Sequence, residues 1–248
     1  MAPGMSFTES VQLVCREALR APWIGLTAWH RCSEEHRDHE AVGADSEPVL
    51  VLGGFLSHPY YYAPLGRMLA RRGYAVHFDD VFNARPLRAH VARLRTRVDR
   101  IVQASGSPLR VVGHSLGGIQ AMVLLLEQPD AIGQVIAVAS PVVGGTPWQP
   151  LQRLVERVLR VRADDTRVLE RRLAPYASRI TTISSPHDLV APPAACTLSG
   201  AANVVLTRVP DSDHALASHG GVIFMRAAVR AIMHALSDPV AARVSIAL

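Results

Sequence analysis

The sequence predicts an α/β domain: an open, mostly parallel sheet of about six strands with helices on both faces. Three observations carry that prediction. Short apolar runs bounded by glycine or polar residues recur at 49–52, 74–78, 109–112, 134–139, 179–183 and 203–207. Longer segments with apolar residues three and four positions apart alternate with them, which is the period of a helix that buries one side. Several of the strand runs are apolar at nearly every position, as a strand covered on both faces requires.

Residues 1–47 read as a helical arm and linker ahead of the main domain. Val11, Val14, Ala18 and Leu19 make one face of a short amphipathic helix, and Trp23, Ile24, Leu26 and Trp29 follow it. Two readings of the arm stand. It packs on the main domain, or it makes weak contact with a membrane or lipid interface, where tryptophan is favoured. Glu9, Gln12, Arg16 and Glu17 break up any signal-peptide core. No run approaches the roughly 18 apolar residues needed to span a bilayer. A cytoplasmic protein is therefore expected. His30, His36 and His39 lie among Glu34, Glu35 and Asp38, but without metal-ligand spacing they read as an exposed loop.

The main domain is expected over 48–237, with 238–248 as a tail. After the first strand and Gly53-Gly54, a helix is expected from 59 to 72, with Leu65, Met68 and Leu69 inward and Gly73 as its stop. The strand at 74–78 precedes a helix over 86–104 that carries Val91, Leu94, Val98, Ile101 and Val102 on one side and arginines on the other. The strand at 109–112 leads into a helix through Ile119, Met122, Val123 and Leu126, which Pro129 ends. Between the strands at 134–139 and 179–183, residues 141–175 read as a lid or cap insertion. Leu151, Leu154, Val155, Val158 and Leu159 form an apolar stripe there, and a second helix begins near Asp165. A mobile lid and a static cap fit this pattern equally. The last strand, 203–207, is followed by a final helix over 221–236.

Composition excludes several classes. The chain has 248 residues and 49% hydrophobic content, enough for one large core. Cys15, Cys32 and Cys196 are odd in number and widely spaced, so they suggest neither a disulfide framework nor a zinc site. The net charge is +5 and every basic residue is arginine. Those arginines are scattered among acidic neighbours rather than gathered in a stripe, which argues against nucleic-acid binding.

The most informative segment is Gly113-His114-Ser115-Leu116-Gly117-Gly118. It falls where a buried strand becomes a helix, so the chain must turn tightly and present the serine hydroxyl at the tip of the bend. The helix N-terminus behind it favours negative charge. Asp188, in Ser184-Ser185-Pro186-His187-Asp188-Leu189-Val190-Ala191-Pro192, lies just past another strand. A carboxylate there either closes a turn or holds an imidazole in one tautomer. His214 follows Pro210-Asp211-Ser212-Asp213 directly after the last strand, and His219 adjoins Gly220-Gly221 just before the final helix.

This order of parts resembles the α/β-hydrolase superfamily, in particular its small lipases and esterases, over about residues 48–237. The resemblance implies a nucleophile, an acid and a base in chain order: Ser115, Asp188 and His214, with His219 the second candidate for the base. It implies an oxyanion hole from the amides of Leu116 and Phe55, with Leu56 as the alternative to Phe55. It also draws Leu56, His58, His114, Val142, Trp148, Leu189 and His219 toward the substrate, His114 doubling as packing support for the elbow. Pro141 to Trp148 resembles the Gly-Thr-Pro-containing loop beside lipase sites. The implied activity is hydrolysis of small-molecule carboxylic or lipid esters with apolar acyl groups through an acyl-serine intermediate, with no metal and no organic cofactor. Acyl transfer to an alcohol or thiol, a binding-only role, and haloperoxidase or lactonase chemistry share the scaffold. Chain-length preference and oligomeric state are not legible in the sequence.

Overall fold

The computed structural model describes residues 46–79, 85–208, 216 and 218–237. The first strand, β1 (Pro48–Leu52), is buried at every position. Val49 and Val51 join one apolar cluster, while Leu50 and Leu52 join another, because successive strand residues face opposite sides of a sheet. β2 (Ala75–Phe78), β3 (Leu109–His114), β4 (Ile132–Val138), β5 (Ile180–Ser184) and β6 (Ala202–Val205) complete a single sheet. Its order is β2-β1-β3-β4-β5-β6, and every pairing is parallel.

Helices cover both faces, as continuous apolar strands require. α1 (Ala63–Ala70) and α7 (Arg226–Ser237) pack against the Val49 side through Leu65, Leu69, Ala228 and Ile232. α2 (Leu87–Ser105), α3 (Leu116–Glu127) and α5 (Ala163–Leu173) pack against the Leu50 side through Leu94, Met122 and Leu173. The expected helix over 59–72 is a 3-10 turn, Pro59–Tyr62, followed by α1. The expected final helix starts later, at Arg226, because Val222–Phe224 forms a 3-10 turn and Met225 is extended.

The 141–175 segment holds α4 (Gln149–Leu159) and α5, with Arg160 in the left-handed region reversing the chain between them. α5 is anchored in the core by Leu169 and Leu173, whereas α4 buries only Leu159 fully. A short helix, α6 (Pro193–Cys196), follows β5 and places Cys196 in the core. The N-terminal arm, Cys15 and Cys32, His214 with its neighbours Asp211 and Asp213, and the tail lie outside the described residues. Among the described residues, no helix is long and apolar enough to cross a membrane.

Candidate active site

β1 and β3 are adjacent, yet the chain leaves β1 toward one face of the sheet and β3 toward the other. Such a divergence opens a crevice at the carboxyl ends of the strands. The loop after β1, the turn after β3 and the loops after β5 and β6 all meet there.

The turn after β3 is the sharpest of these. Ser115 has φ 55° and ψ −118°, a region that a residue with a side chain occupies only under constraint from its surroundings. The constraint is visible. Ser115 N–H donates to the Val138 carbonyl at 2.8 Å, and α3 starts at the next residue. Gly113 and Gly117 permit the bend: a methyl on Gly113 would strike the backbone of Gly117 and Gly118, and one on Gly117 would strike the carbonyls of Leu52 and Gly53. Strand and helix thus cross at backbone contact, and the serine is left at the tip.

His219 Nε2 lies 2.9 Å from Ser115 Oγ, and His219 Nδ1 lies 2.8 Å from Asp188 Oδ2. Asp188 is 1% exposed. Its other oxygen, Oδ1, accepts from the amides of Val190 and Ala191, both at 2.9 Å. Burial works against its charge, but the adjacent His219 and those two amides outweigh it and hold the carboxyl below its ordinary range. The ring between serine and carboxylate is therefore that of His219, not of His214 as the resemblance had implied. The turn at 218–221 explains this. Val222 N–H donates to the Ser218 carbonyl, Gly221 N–H to Ser218 Oγ, and a methyl on Gly221 would meet the Leu216 backbone. The chain folds back on itself and projects His219 over the elbow.

A second set of bonds ties these loops together. Tyr62 Oη accepts the Gly54 amide at 2.8 Å and meets His114 Nδ1 at 2.9 Å. His114 Nε2 meets the His219 carbonyl at 2.9 Å. A carbonyl only accepts, so His114 carries its proton on Nε2 and takes the tyrosine O–H on Nδ1. Burial and the neighbouring His219 push the pKa of His114 down to about 3, so its ring is neutral. Burial also raises Tyr62 to about 12. Tyr61 Oη donates to the next carbonyl, Gly220, at 3.1 Å. Sequence reasoning missed both tyrosines, which lay in what read as an ordinary helix start.

A cavity of about 1180 Å³ opens over Ser115. Leu56, His58, His114, Leu116, Phe55 and His219 line it, as the sequence had suggested for the site. Three expected pocket residues stand elsewhere. Val142 is fully buried in the core cluster on the α2, α3 and α5 side. Trp148 is half-buried ahead of α4, its amide bonded to Thr146 Oγ1, and lies outside the wall. Leu189 is 43% exposed, and its neighbour Val190 takes the wall position. The cap contributes Leu151, Val155 and Leu159 from α4 and Val168 and Leu169 from α5.

The family model for serine aminopeptidases (S33) matches residues 44–188. No curated protein matches the sequence significantly. Solved structures share the fold. The mature lipase BlEst2 of Bacillus licheniformis is 13% identical, with TM-score 0.59 over 81% of this chain and 95% of its own. A structure from the metagenome-derived lipolytic enzymes LipS and LipT is 13% identical, with TM-score 0.60 over 80% and 98%. Est1E from Butyrivibrio proteoclasticus is 13% identical, with TM-score 0.57 over 80% and 90%.

Proposed function

Because the chain belongs to the serine aminopeptidase S33 family of hydrolases and has the α/β-hydrolase fold, we propose that it is a serine hydrolase of carboxylic esters with apolar acyl groups. The single observation that carries the reading is the His219 ring, 2.9 Å from Ser115 Oγ and 2.8 Å from the buried carboxylate of Asp188. A serine hydroxyl is a weak nucleophile until a base takes its proton, and the base must be held in one tautomer to do so.

In this reading Ser115 Oγ attacks the ester carbonyl while His219 Nε2 takes its proton. Asp188 accepts from Nδ1–H and stabilises the imidazolium. His219 then gives the proton to the departing alkoxide, and the alcohol leaves. Water, activated by the same nitrogen, attacks the acyl-serine and releases the carboxylic acid.

The developing oxyanion needs donors fixed in advance, each worth about a hundred- to a thousandfold in rate. The Leu116 amide opens α3, where the first amides have no partner within the helix. In the loop after β1 the Gly54 amide is engaged by Tyr62, so the next amide, that of Phe55, is the second donor. A side chain on Gly54 would press on His114 and Ser115, which is why the loop can approach the nucleophile this closely.

The family name suggests a second reading, removal of amino-terminal residues from peptides. The wall of the cavity carries Arg88, Arg95, Arg160, Arg162 and Arg172 against the acids Glu127 and Asp165. A positive wall disfavours a substrate that presents an ammonium group. The apolar cap residues favour an acyl chain. Turnover of nitrophenyl esters of increasing acyl length, beside aminoacyl-nitroanilides, tests the choice. The proposal expects ester hydrolysis that rises with acyl length and disappears in Ser115→Ala; cleavage of the nitroanilides alone would refute it.

A further inference from the structure

We propose that the site is built for a long acyl chain that ends in a carboxylate, so that its substrates are esters of α,ω-dicarboxylic acids. The inference rests on the ester-hydrolase reading and deepens it.

The cavity runs along a helix. Ser115, Ile119, Val123 and Leu126 line it, and so does Glu127. These positions share one side of α3, spaced by three or four residues. A helix rises 1.5 Å per residue, so the cavity extends about 18 Å from the nucleophile, the span of an extended chain of about twelve to fourteen carbons. Ile119, Val123 and Leu126 are only partly buried, which leaves an apolar floor between α2 and α5. An acyl chain would gain affinity with each methylene it buries there.

The far end is not apolar. Arg95 of α2 pairs with Glu127 at 3.5 Å, which fixes Arg95 at the level of the last turn of α3. Arg172 lines the same cavity from the penultimate position of α5. The helices α2, α3 and α5 all run back from the carboxyl edge of the sheet, so their last turns stand at the opposite edge from Ser115. Asp165, Val168, Leu169 and Arg172 form the α5 wall in that order, apolar in the middle and cationic at its end. Arg88 opens α2 and Arg160 precedes α5, at the Ser115 end of the groove; at the far end Arg172 has no ion-pair partner among the described residues. Glu127 is shared with Arg95, and the Asp165 carboxylate holds the Arg162 amide at 2.8 Å. An apolar groove with an unpaired guanidinium, that of Arg172, at its far and exposed end is matched by a chain with one terminal anion. A methyl-ended fatty chain offers Arg172 no such partner.

The test is binding to the Ser115→Ala protein, so that it does not depend on turnover. Monomethyl dodecanedioate and methyl dodecanoate differ only at the far terminus; monomethyl succinate and methyl butanoate are the short pair. The dicarboxylate member is expected to bind about fivefold or more tighter in the long pair, with no preference in the short pair. High salt should erase the difference. Arg172→Gln, a change at an exposed position, should reduce it severalfold while binding of methyl dodecanoate holds. Tighter binding of methyl dodecanoate, or a preference indifferent to Arg172→Gln, would overturn the proposal. Hydrolysis of the matched nitrophenyl esters by the wild-type chain separates the two readings. Selective binding without hydrolysis would refute the esterase, and hydrolysis without selective binding would refute only the carboxylate-ended substrate.

Discussion

His114, the residue before Ser115, holds the backbone at His219: its Nε2–H donates to the His219 carbonyl at 2.9 Å. Its other nitrogen takes the Tyr62 hydroxyl, whose oxygen in turn accepts the Gly54 amide. One buried chain of bonds therefore runs from the loop after β1 through the elbow to the turn that carries His219. Geometry set to within about 0.5 Å is what such chemistry requires.

Tyr62→Phe cuts this chain at its centre while keeping the ring in the core. The Gly54 amide loses its acceptor and His114 its donor. The expected outcome is a fall in kcat of roughly ten- to a hundredfold with little change in KM, and a stability loss of about 1–3 kcal/mol. Steady-state kinetics on the ester substrate check the first, urea unfolding the second. Tyr61→Phe removes only the 3.1 Å bond to the Gly220 carbonyl and should cost a few-fold.

Acid stability follows from His114. Its folded pKa, about 3, lies below its ordinary value of 6.5. Between those values the unfolded chain binds a proton that the folded chain does not. Its contribution is thus fully present above about pH 6.5 and is lost as pH falls toward 3. The full swing is on the order of 4–5 kcal/mol. Asp188, also held low, acts in the same direction further into acid. Unfolding midpoints for His114→Gln should fall less steeply between pH 6.5 and 4.5 than those of the parent chain.

Asp188→Asn keeps an oxygen for the Val190 and Ala191 amides but sets an NH₂ against His219, favouring the wrong ring tautomer. A loss of about ten-thousandfold in kcat is expected with the fold intact. Stopped turnover with a native circular dichroism spectrum is the check.

Gly117→Ala would push a methyl into the carbonyls of Leu52 and Gly53. Neither is a flexible side chain that could swing away. A stability loss of about 1–3 kcal/mol or more is expected from this overpacking, measured as a shift in the denaturant midpoint.

The sheet was legible because each strand is apolar on both faces, and the elbow because small residues bracket a serine at a strand-to-helix junction. Asp188 was legible by its place after β5. The base was not, because counting residues from the last strand assumes that the loop advances steadily. Ser218 to Gly221 turn back on Leu216 instead, and the signal was Gly220-Gly221 before the apolar Val222-Ile223-Phe224. Tyr61 and Tyr62 were hidden because one helical turn reads the same whether its aromatic residues pack or donate hydrogen bonds. Val142 was drawn toward the pocket by its neighbours' motif, yet a loop residue that follows a central strand is as readily folded into the core.

The assignment of the base is tested most directly by comparing His219→Ala with His214→Ala in ester turnover and in fluorophosphonate labelling of Ser115. The account predicts that His219→Ala loses both, by about a millionfold in turnover if the three side chains act as a unit, while His214→Ala keeps most of its activity. Full activity in His219→Ala would contradict it.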